Sequence, residues 1–148
     1  MAEEQLVVFL LGKEEYGISI SQVREIIQHE GATKIPNRSD YMEGIINLRG
    51  KIIPLVDLSV KFGTKKENAV ERRAIIIETA GQELGIIVDA VTEVLKLNDM
   101  EIDSVPVTAA SYDYVRGLGK KNGRLLVLLD VERLFDSREL VKLQEAIL

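Results

Sequence analysis

The stretch that decides the fold runs from residue 44 to residue 58 and reads Gly44-Ile45-Ile46-Asn47-Leu48-Arg49-Gly50-Lys51-Ile52-Ile53-Pro54-Leu55-Val56-Asp57-Leu58. Apolar, largely β-branched segments flank the polar triplet Arg49-Gly50-Lys51, which is the pattern of two strands joined by a tight turn. Asp57 follows the second strand and is predicted to cap a short helix that begins at Leu58. The stretch therefore predicts a β-hairpin that ends in a helical turn.

Outward from this stretch, the same spacing recurs in the second half of the chain. Four pairs of identical residues are separated by 73 positions (117 − 44): Gly44 and Gly117, Gly50 and Gly123, Asp57 and Asp130, and Phe62 and Phe135. Three more pairs are separated by 68 positions (85 − 17): Gly17 and Gly85, Val23 and Val91, and Glu25 and Glu93. Two blocks in the same order indicate an internal duplication. We interpret the chain as an all-β protein of two similar packed halves, about 1–73 and about 74–148, a division that leaves strand exchange between them open.

Three helical segments are expected in addition to the strands and to the short helices Leu58 to Phe62 and Val131 to Phe135 that Asp57 and Asp130 would cap. In the first half Val23, Ile26 and Ile27 have helical spacing, and in the second half a helix capped by Asp89 is expected to carry the stripe Val91, Val94 and Leu95. Near the end of the chain Asp136 and Glu139 resemble a capping box, with Leu140, Leu143 and Ile147 on one helical face. The sequence thus predicts two short internal helices and one C-terminal helix that docks on the body.

Composition excludes several classes of function. The chain has 148 residues, a formal net charge of −5, one histidine and no cysteine or tryptophan. An acidic, aromatic-poor chain is a poor match for nucleic acid, and the absence of cysteine together with a single histidine argues against a metal site. The acidic residues 1–5 lack the features of a signal peptide, and the apolar runs are too short for a membrane span. We therefore expect a cytoplasmic protein without membrane insertion.

Two residues invite a catalytic or phosphoacceptor interpretation. Asp57 ends an apolar strand as a phosphoacceptor aspartate would, and His29 is the only histidine. The equivalent Asp130 in the second half favours helix capping for both aspartates, and a surface position near a helix end is favoured for His29. The glycine-rich segment 117–123 opens a strand rather than a helix, so it predicts a hairpin turn and not a phosphate-binding loop. We expect no enzymatic activity and no cofactor, with a phosphorylatable domain as the alternative.

One difference between the halves points to a recognition surface. The first half carries both Glu25 and Arg49, whereas the second half has Asn122 at the position of Arg49. The departure suggests that the first copy has a role that the second copy lacks. We predict that Glu25 and Arg49 form a charge-assisted pair at the surface.

The same residues carry a resemblance to a known family. The matching segments, in order, are Glu15-Tyr16-Gly17-Ile18, Val23-x-Glu25-Ile26, the stretch from Gly44 to Leu58, Gly85-Ile86-x-Val88-Asp89-x-Val91 and Gly117-Leu118-Gly119. Together they resemble the CheW family of chemotaxis coupling proteins and the related regulatory domain of the chemotaxis histidine kinase CheA. The resemblance extends over nearly the whole chain, from about residue 5 to about residue 143.

This resemblance implies a fold and a role. The fold is one CheW-like domain, 1–148, of two SH3-like five-stranded β-barrels packed together, with short helices and a C-terminal helix. The role is a non-catalytic adaptor that couples transmembrane chemoreceptors, the methyl-accepting chemotaxis proteins, to CheA, recruited to receptor arrays at the inner face of the membrane. The implied partners are the cytoplasmic tip of the receptors and the regulatory domain of CheA.

The resemblance also implies where the receptor binds. The positions carried over from the family, in the groove between the barrels, are Val23, Glu25, Ile26, Arg49, Gly85 and Val94. The kinase contact is expected mainly on the second barrel, and no motif identifies its residues.

Overall fold

A computed structural model describes residues 3–36, 39–64, 72–105 and 113–145 of the chain. The strands are β1 (Glu3–Leu11), β2 (Glu14–Ser19), β3 (Val23–Gln28), β4 (Met42–Leu48), β5 (Lys51–Asp57), β6 (Arg73–Thr79), β7 (Gln82–Val88), β8 (Ala90–Asn98), β9 (Ile102–Asp103), β10 (Val115–Lys121) and β11 (Arg124–Leu129). The helices are α1 (Leu58–Phe62), α2 (Val131–Leu134) and α3 (Ser137–Glu145), with 3-10 turns at Ile20–Gln22 and Asp99–Glu101.

The strands form two sheets, and each sheet takes strands from both halves of the chain. One sheet has the order β8-β1-β2-β11-β10-β9 and the other has the order β3-β6-β7-β5-β4. The hairpin β1-β2 of the first half has thus joined the strands of the second half, and β6-β7 has made the reciprocal exchange. The expected division at about 1–73 and about 74–148 left strand exchange open, and the two sheets contain such an exchange. The expected β-rich fold of two sheets is confirmed, and the short β9 adds a sixth strand to one of them.

Parallel strand pairs join the exchanged hairpins to their sheets. In the six-stranded sheet Gly17 of β2 lies opposite Leu128 of β11, and in the five-stranded sheet Gly85 of β7 lies opposite Leu55 of β5. These pairs are related by the two offsets of the sequence repeat. A Cβ atom at Gly85 would lie 2.4 Å from Leu55 Cδ2, and one at Gly17 would lie 3.2 Å from Leu128 Cδ2. Both glycines therefore make room for a leucine of the neighbouring strand.

Three apolar clusters form the core. The largest cluster lies between the sheets and includes Phe9, Ile75, Ile86 and Phe135. Each sheet also holds a cluster on its other face, made of Leu6, Val8, Leu97, Leu126 and Leu128 in the six-stranded sheet and of Leu55, Ala74 and Ile87 in the five-stranded sheet. Burial on both faces explains the near-continuous apolar runs of the central strands.

Both sheets curl so that strands from opposite edges approach each other. In the five-stranded sheet Thr33, which follows β3, forms a β-bridge with Ile45 of the opposite edge strand β4. In the six-stranded sheet a Cβ atom on Gly119 of β10 would lie 2.7 Å from Leu97 Cδ1 of β8. Each curled sheet therefore encloses the apolar cluster on its own inner face, as a small barrel does.

The two predicted internal helices are strands, and a bulge explains the error. In β3 the pairing with β6 shifts between Val23 and Glu25, so that Arg24 is an extra residue. In β8 the pairing with β1 shifts in the same way around Thr92. A bulge places residues three apart on one face of a strand. Val23 and Ile26, like Val91 and Val94, therefore have the spacing of a helix although the backbone is extended. Asp89 caps no helix, and its Oδ2 accepts a hydrogen bond from the Gly12 N–H at 2.6 Å.

The other predicted helix signals are confirmed. Asp57 accepts from the Ser59 N–H at 3.0 Å at the start of α1, and Asp130 accepts from the Glu132 N–H at 3.0 Å at the start of α2. The capping box of α3 is present, with Asp136 and Glu139 each accepting from the other's backbone N–H. Leu143 is buried and Leu140 packs against the core between the sheets, whereas Ile147 lies outside the described residues.

A polar cluster holds α3 on the body. Lys61 of α1 donates to Glu139 and lies 4.9 Å from the ring centres of both Tyr41 and Phe135. Burial and the bond to Glu139 raise the pKa of Tyr41 to about 12. Burial alone would raise the pKa of Glu139, but hydrogen bonds from Lys61, the Asp136 N–H and Tyr41 outweigh it and lower that pKa. The surroundings of Glu139 thus favour its ionised form where α3 packs on the body.

We predict that Gly44→Ala destabilises the protein far more than Gly117→Ala. Gly44 has a φ of +151°, and a Cβ atom there would lie 2.4 Å from the Thr33 carbonyl oxygen, a backbone atom that cannot rotate away. The expected loss is roughly 2 kcal/mol or more of unfolding free energy, from strain and overlap together. Gly117 is the equivalent residue, with an ordinary φ and a closest approach of 3.0 Å to the Asp103 oxygen. Urea denaturation of the two variants measures the difference, and equal losses would contradict the prediction.

Acid should loosen α3 through Glu139. Because the pKa of Glu139 is lowered in the folded state, its contribution is complete above the ordinary value of 4.5 and is lost as the pH falls through the folded value. The thermal midpoint of the wild type should therefore fall more steeply below about pH 4.5 than that of Glu139→Gln, which cannot ionise. Parallel acid titrations of the thermal midpoint for both proteins test this. Parallel curves would show that the charge of Glu139 does not stabilise the docked helix.

Candidate partner-binding surface

The predicted pair between Glu25 and Arg49 is present. Arg49 donates from Nη1 to Glu25 Oε1 at 2.9 Å, and its Nη2 lies 2.8 Å from Glu25 Oε2. The hydrogen bond to Glu25 raises the pKa of Arg49. The Arg49 side chain is 75% exposed and that of Glu25 is 24% exposed. Because Glu25 lies in β3 and Arg49 follows β4, the pair joins opposite edges of the curled five-stranded sheet.

The backbone at Arg49 is unusual for its side chain. Arg49 and Gly50 form a two-residue turn with φ values of 52° and 86°, the conformation that hairpins favour. The equivalent turn of the six-stranded sheet has Asn122 and Gly123 at 51° and 78°. Asparagine adopts positive φ much more readily than arginine does. In the first half the turn therefore holds an arginine in a backbone conformation that is strained for this residue type.

The equivalent carboxylate in the six-stranded sheet is held differently. Glu93 corresponds to Glu25, and it binds Arg124 Nη2 at 2.9 Å rather than a residue of the turn. Arg124 also binds Glu15 at 2.6 Å, which lowers the pKa of Glu15. Arg124 is thus shared by two carboxylates, whereas Arg49 binds one carboxylate, that of Glu25. Of the two equivalent turns, the one in the first half has an exposed arginine, and the one in the second half has asparagine.

The remaining predicted receptor-binding residues differ in accessibility. Ile26 and Val94 are exposed and occupy equivalent positions in β3 and β8. They lie opposite Ile75 and Val7, which belong to the core between the sheets, so both are at the exposed margin of that core, where the predicted groove would run. Val23 is half-buried against the same core.

Gly85 has a different position from the other five. It is buried in the five-stranded sheet, and the space where its side chain would be is filled by Leu55. Its structure supports a packing role rather than a contact with a partner.

The two alternative phosphoacceptor residues are poorly placed for that chemistry. Asp57 is 1% exposed, its Oδ1 accepts from Ser59, and its Oδ2 lies 2.9 Å from Arg72 Nη2. His29 is half-buried, and burial lowers its pKa. The carboxylate of Asp57 is therefore occupied in capping and ion pairing.

Sequence reasoning missed three cations. Arg72 lies between Asp57 and Asp89, at 2.9 and 4.0 Å, and so connects the ends of β5 and β7 in the interior. At the surface Arg24 pairs with Glu78, and Lys51 pairs with Glu83 at 3.1 Å. The signal for Arg24 was the bulge, which is visible in the sequence only as an apparent helical stripe.

Arg24 and Lys51 lie at the same end of the five-stranded sheet as the Glu25–Arg49 pair. They border a depression of about 230 Å³ that we call the mouth, lined by Arg24, Glu25, Leu48, Arg49, Lys51, Ile53, Ile76 and Glu83. The mouth combines exposed cations at its rim with apolar side chains below them. Such a surface suits recognition of another molecule rather than covalent chemistry.

Across 3–36, 39–64, 72–105 and 113–145, no three histidine, aspartate or glutamate side chains are grouped so that they could hold a metal ion. None of the helices in these ranges is long and apolar enough to cross a membrane.

The fold and the mouth define a scaffold-type domain built from two curled β-sheets. The chain belongs to the family of CheW-like domains, whose model matches residues 5–139. It is 40% identical to chemotaxis protein CheW of Klebsiella aerogenes, over 93% of this chain and 84% of that protein, and 36% identical to chemotaxis protein CheW of Helicobacter pylori, over 88% and 80%. It also resembles the crystal structure of scaffolding protein TtCheW from Thermoanaerobacter tengcongensis, with a TM-score of 0.85 and 37% identity over 93% of this chain and 96% of that one.

We predict that Arg49→Asn leaves the folded state as stable as the wild type or more stable. The substitution installs the residue that the equivalent turn carries, relieves strain at positive φ and removes only an exposed ion pair. The reciprocal variant Asn122→Arg should be slightly less stable than the wild type. Thermal unfolding of both variants measures the two effects. A marked drop in the midpoint for Arg49→Asn would reassign Arg49 to holding the sheet edges together.

Proposed function

We propose that the chain is a non-catalytic chemotaxis adaptor that couples chemoreceptors to the histidine kinase CheA. Membership of the CheW-like family supports this role, as does the similarity to proteins named chemotaxis protein CheW and scaffolding protein. The cytoplasmic tip of the receptor and the regulatory domain of CheA would be its two partners. Binding to the tips would recruit it to receptor arrays at the inner face of the membrane.

The observation that carries the proposal is the asymmetry at Arg49. The two halves have the same turn, the same register and an equivalent glutamate, yet only the first half places an exposed arginine there. A purely structural pair would be expected to recur in both halves or to be buried. A strained and exposed residue is more typical of a binding site.

The receptor surface in this proposal combines Arg49 and Glu25 with the apolar margin of the groove. Ile26 and Val94 supply exposed aliphatic side chains, which are costly to leave in water and favourable to bury against a partner. Val23 adds a half-buried aliphatic side chain that packs against the core between the sheets. The kinase contact would lie mainly on the six-stranded sheet, which contains most strands of the second half.

We predict that Ile26→Asp weakens binding to the receptor tip and leaves binding to the kinase regulatory domain unchanged. A carboxylate at a position that becomes buried would have to lose its water, so the affinity for the tip should fall by roughly 2 kcal/mol or more, about thirtyfold. Two calorimetric titrations on the purified variant, one per partner, give the result.

Val141→Asp on α3 is the matched control, because Val141 is also exposed and aliphatic but belongs to an element that holds none of the proposed receptor-binding residues. It should bind both partners as the wild type does. Equal loss of both partners in a folded Ile26→Asp variant would mean one shared site, and the bridging arrangement would be refuted. Failure of the wild type to bind either partner would refute the proposed coupling itself.

A further inference from the structure

The rim of the mouth has a regular arrangement of charge. Three ion pairs surround it, and in each pair the cation is the more exposed member. The side chains of Arg24 and Lys51 are 55% and 70% exposed, against 38% and 27% for Glu78 and Glu83. Arg49 and Glu25 show the largest contrast. The three pairs are formally neutral, but at each of them the cation extends further into solvent than the carboxylate does.

Two of these cations are placed by irregular backbone. Arg24 is the extra residue of the bulge in β3, and Arg49 lies at positive φ in the turn after β4. A bulge redirects a side chain that a regular strand would place elsewhere. Both departures place a cation at the rim of the mouth.

The six-stranded sheet has the same backbone without the same charges. Its bulge holds Thr92 where β3 has Arg24, and its turn holds Asn122 where the first half has Arg49. Among the positions equivalent to Arg24, Arg49 and Lys51, which are Thr92, Asn122 and Arg124, Arg124 alone is a cation, and Glu15 and Glu93 both bind it. The full set of rim cations is therefore not needed to build this fold.

The floor of the mouth is aliphatic. Leu48, Ile53 and Ile76 line it beneath the charged rim. Each arginine at the rim keeps donors that its own glutamate does not use, since a guanidinium has five N–H groups. The mouth therefore offers cation donors around a shallow apolar recess.

We infer that the mouth binds an acidic segment of a partner protein, with carboxylates on the rim cations and one aliphatic side chain in the recess. The inference rests on the proposed function, because Arg49 and Glu25 belong to both surfaces, and it names the chemistry of the partner that this end of the sheet accepts. Charge complementarity selects carboxylates. The aliphatic recess favours a peptide over nucleic acid or an anionic lipid surface, because a peptide can place an apolar side chain there between its carboxylates.

The test is a nuclear magnetic resonance titration of the full chain with synthetic peptides. The probe is a short peptide with one leucine flanked by glutamates, and its counterpart has glutamine at every glutamate position. The glutamate peptide should shift the side-chain signals of Arg24 and Arg49 and the methyl signals of Ile53 and Ile76. The glutamine peptide should bind at least about fivefold more weakly, and raising the salt from about 0.05 to 0.5 M should weaken the glutamate peptide by a similar factor.

The double variant Arg24→Thr/Arg49→Asn takes its residues from the equivalent positions of the six-stranded sheet and should lose most of the binding. Its control is Lys96→Thr/Lys120→Asn, which removes two cations from the other sheet and should bind as the wild type does. The inference is overturned if the glutamine peptide binds equally well, if the Arg24 and Arg49 variant binds unchanged, or if no peptide binds. It is also overturned if an oligonucleotide or phosphatidylserine vesicles bind more tightly than the glutamate peptide.

Titration of the wild type with a receptor tip separates this inference from the proposed function. A tip that binds while the glutamate peptide does not would refute the acidic-segment inference and leave the adaptor role standing. If the glutamate peptide binds while neither the tip nor the kinase domain does, the adaptor role is refuted and the acidic-segment inference stands.

Discussion

The parallel pairings of β2 with β11 and of β5 with β7 hold the two halves of this chain together. Each pairing joins a hairpin from one half to the strands of the other, and each requires a glycine, Gly17 or Gly85, opposite a leucine. Without these pairings each sheet would lose a hairpin, and the core between the sheets would lose the side chains that those hairpins contribute. The curl of the five-stranded sheet, the approach of its edges and the mouth between them all depend on this arrangement.

The sequence repeat predicted the turns, the caps and the equivalence of the halves, because glycine and aspartate signal those features locally. It did not predict how the strands are shared, since an exchanged hairpin and a contiguous one bury the same residues. The two internal helices were wrong for a physical reason. The bulge at Arg24 puts Val23 and Ile26 on one face of a strand, and a pattern with that spacing is read as a helix when it is short.

The candidate site was predictable where the two halves differ. Comparing Arg49 with Asn122 located the Glu25 pair, which the structure contains. Arg24 and Lys51 were not singled out, because a charged residue in a strand is ordinarily solvent-facing and only the curl of the sheet brings these side chains to one rim. Gly85 was included through family resemblance, and its burial shows how a residue can belong to a motif through packing alone.

The exchange of hairpins has a consequence for how such a protein can diverge. A single half of this kind has its hairpin directed away from its own remaining strands, so it would be complete only as a symmetric pair of identical chains. In such a pair any substitution appears in both chains, so an arginine at the turn equivalent to Arg49 would strain both copies of that turn. Fusion into one chain removes that coupling. One turn can then keep asparagine at positive φ, while the other carries Arg49 there without imposing the same strain on its counterpart.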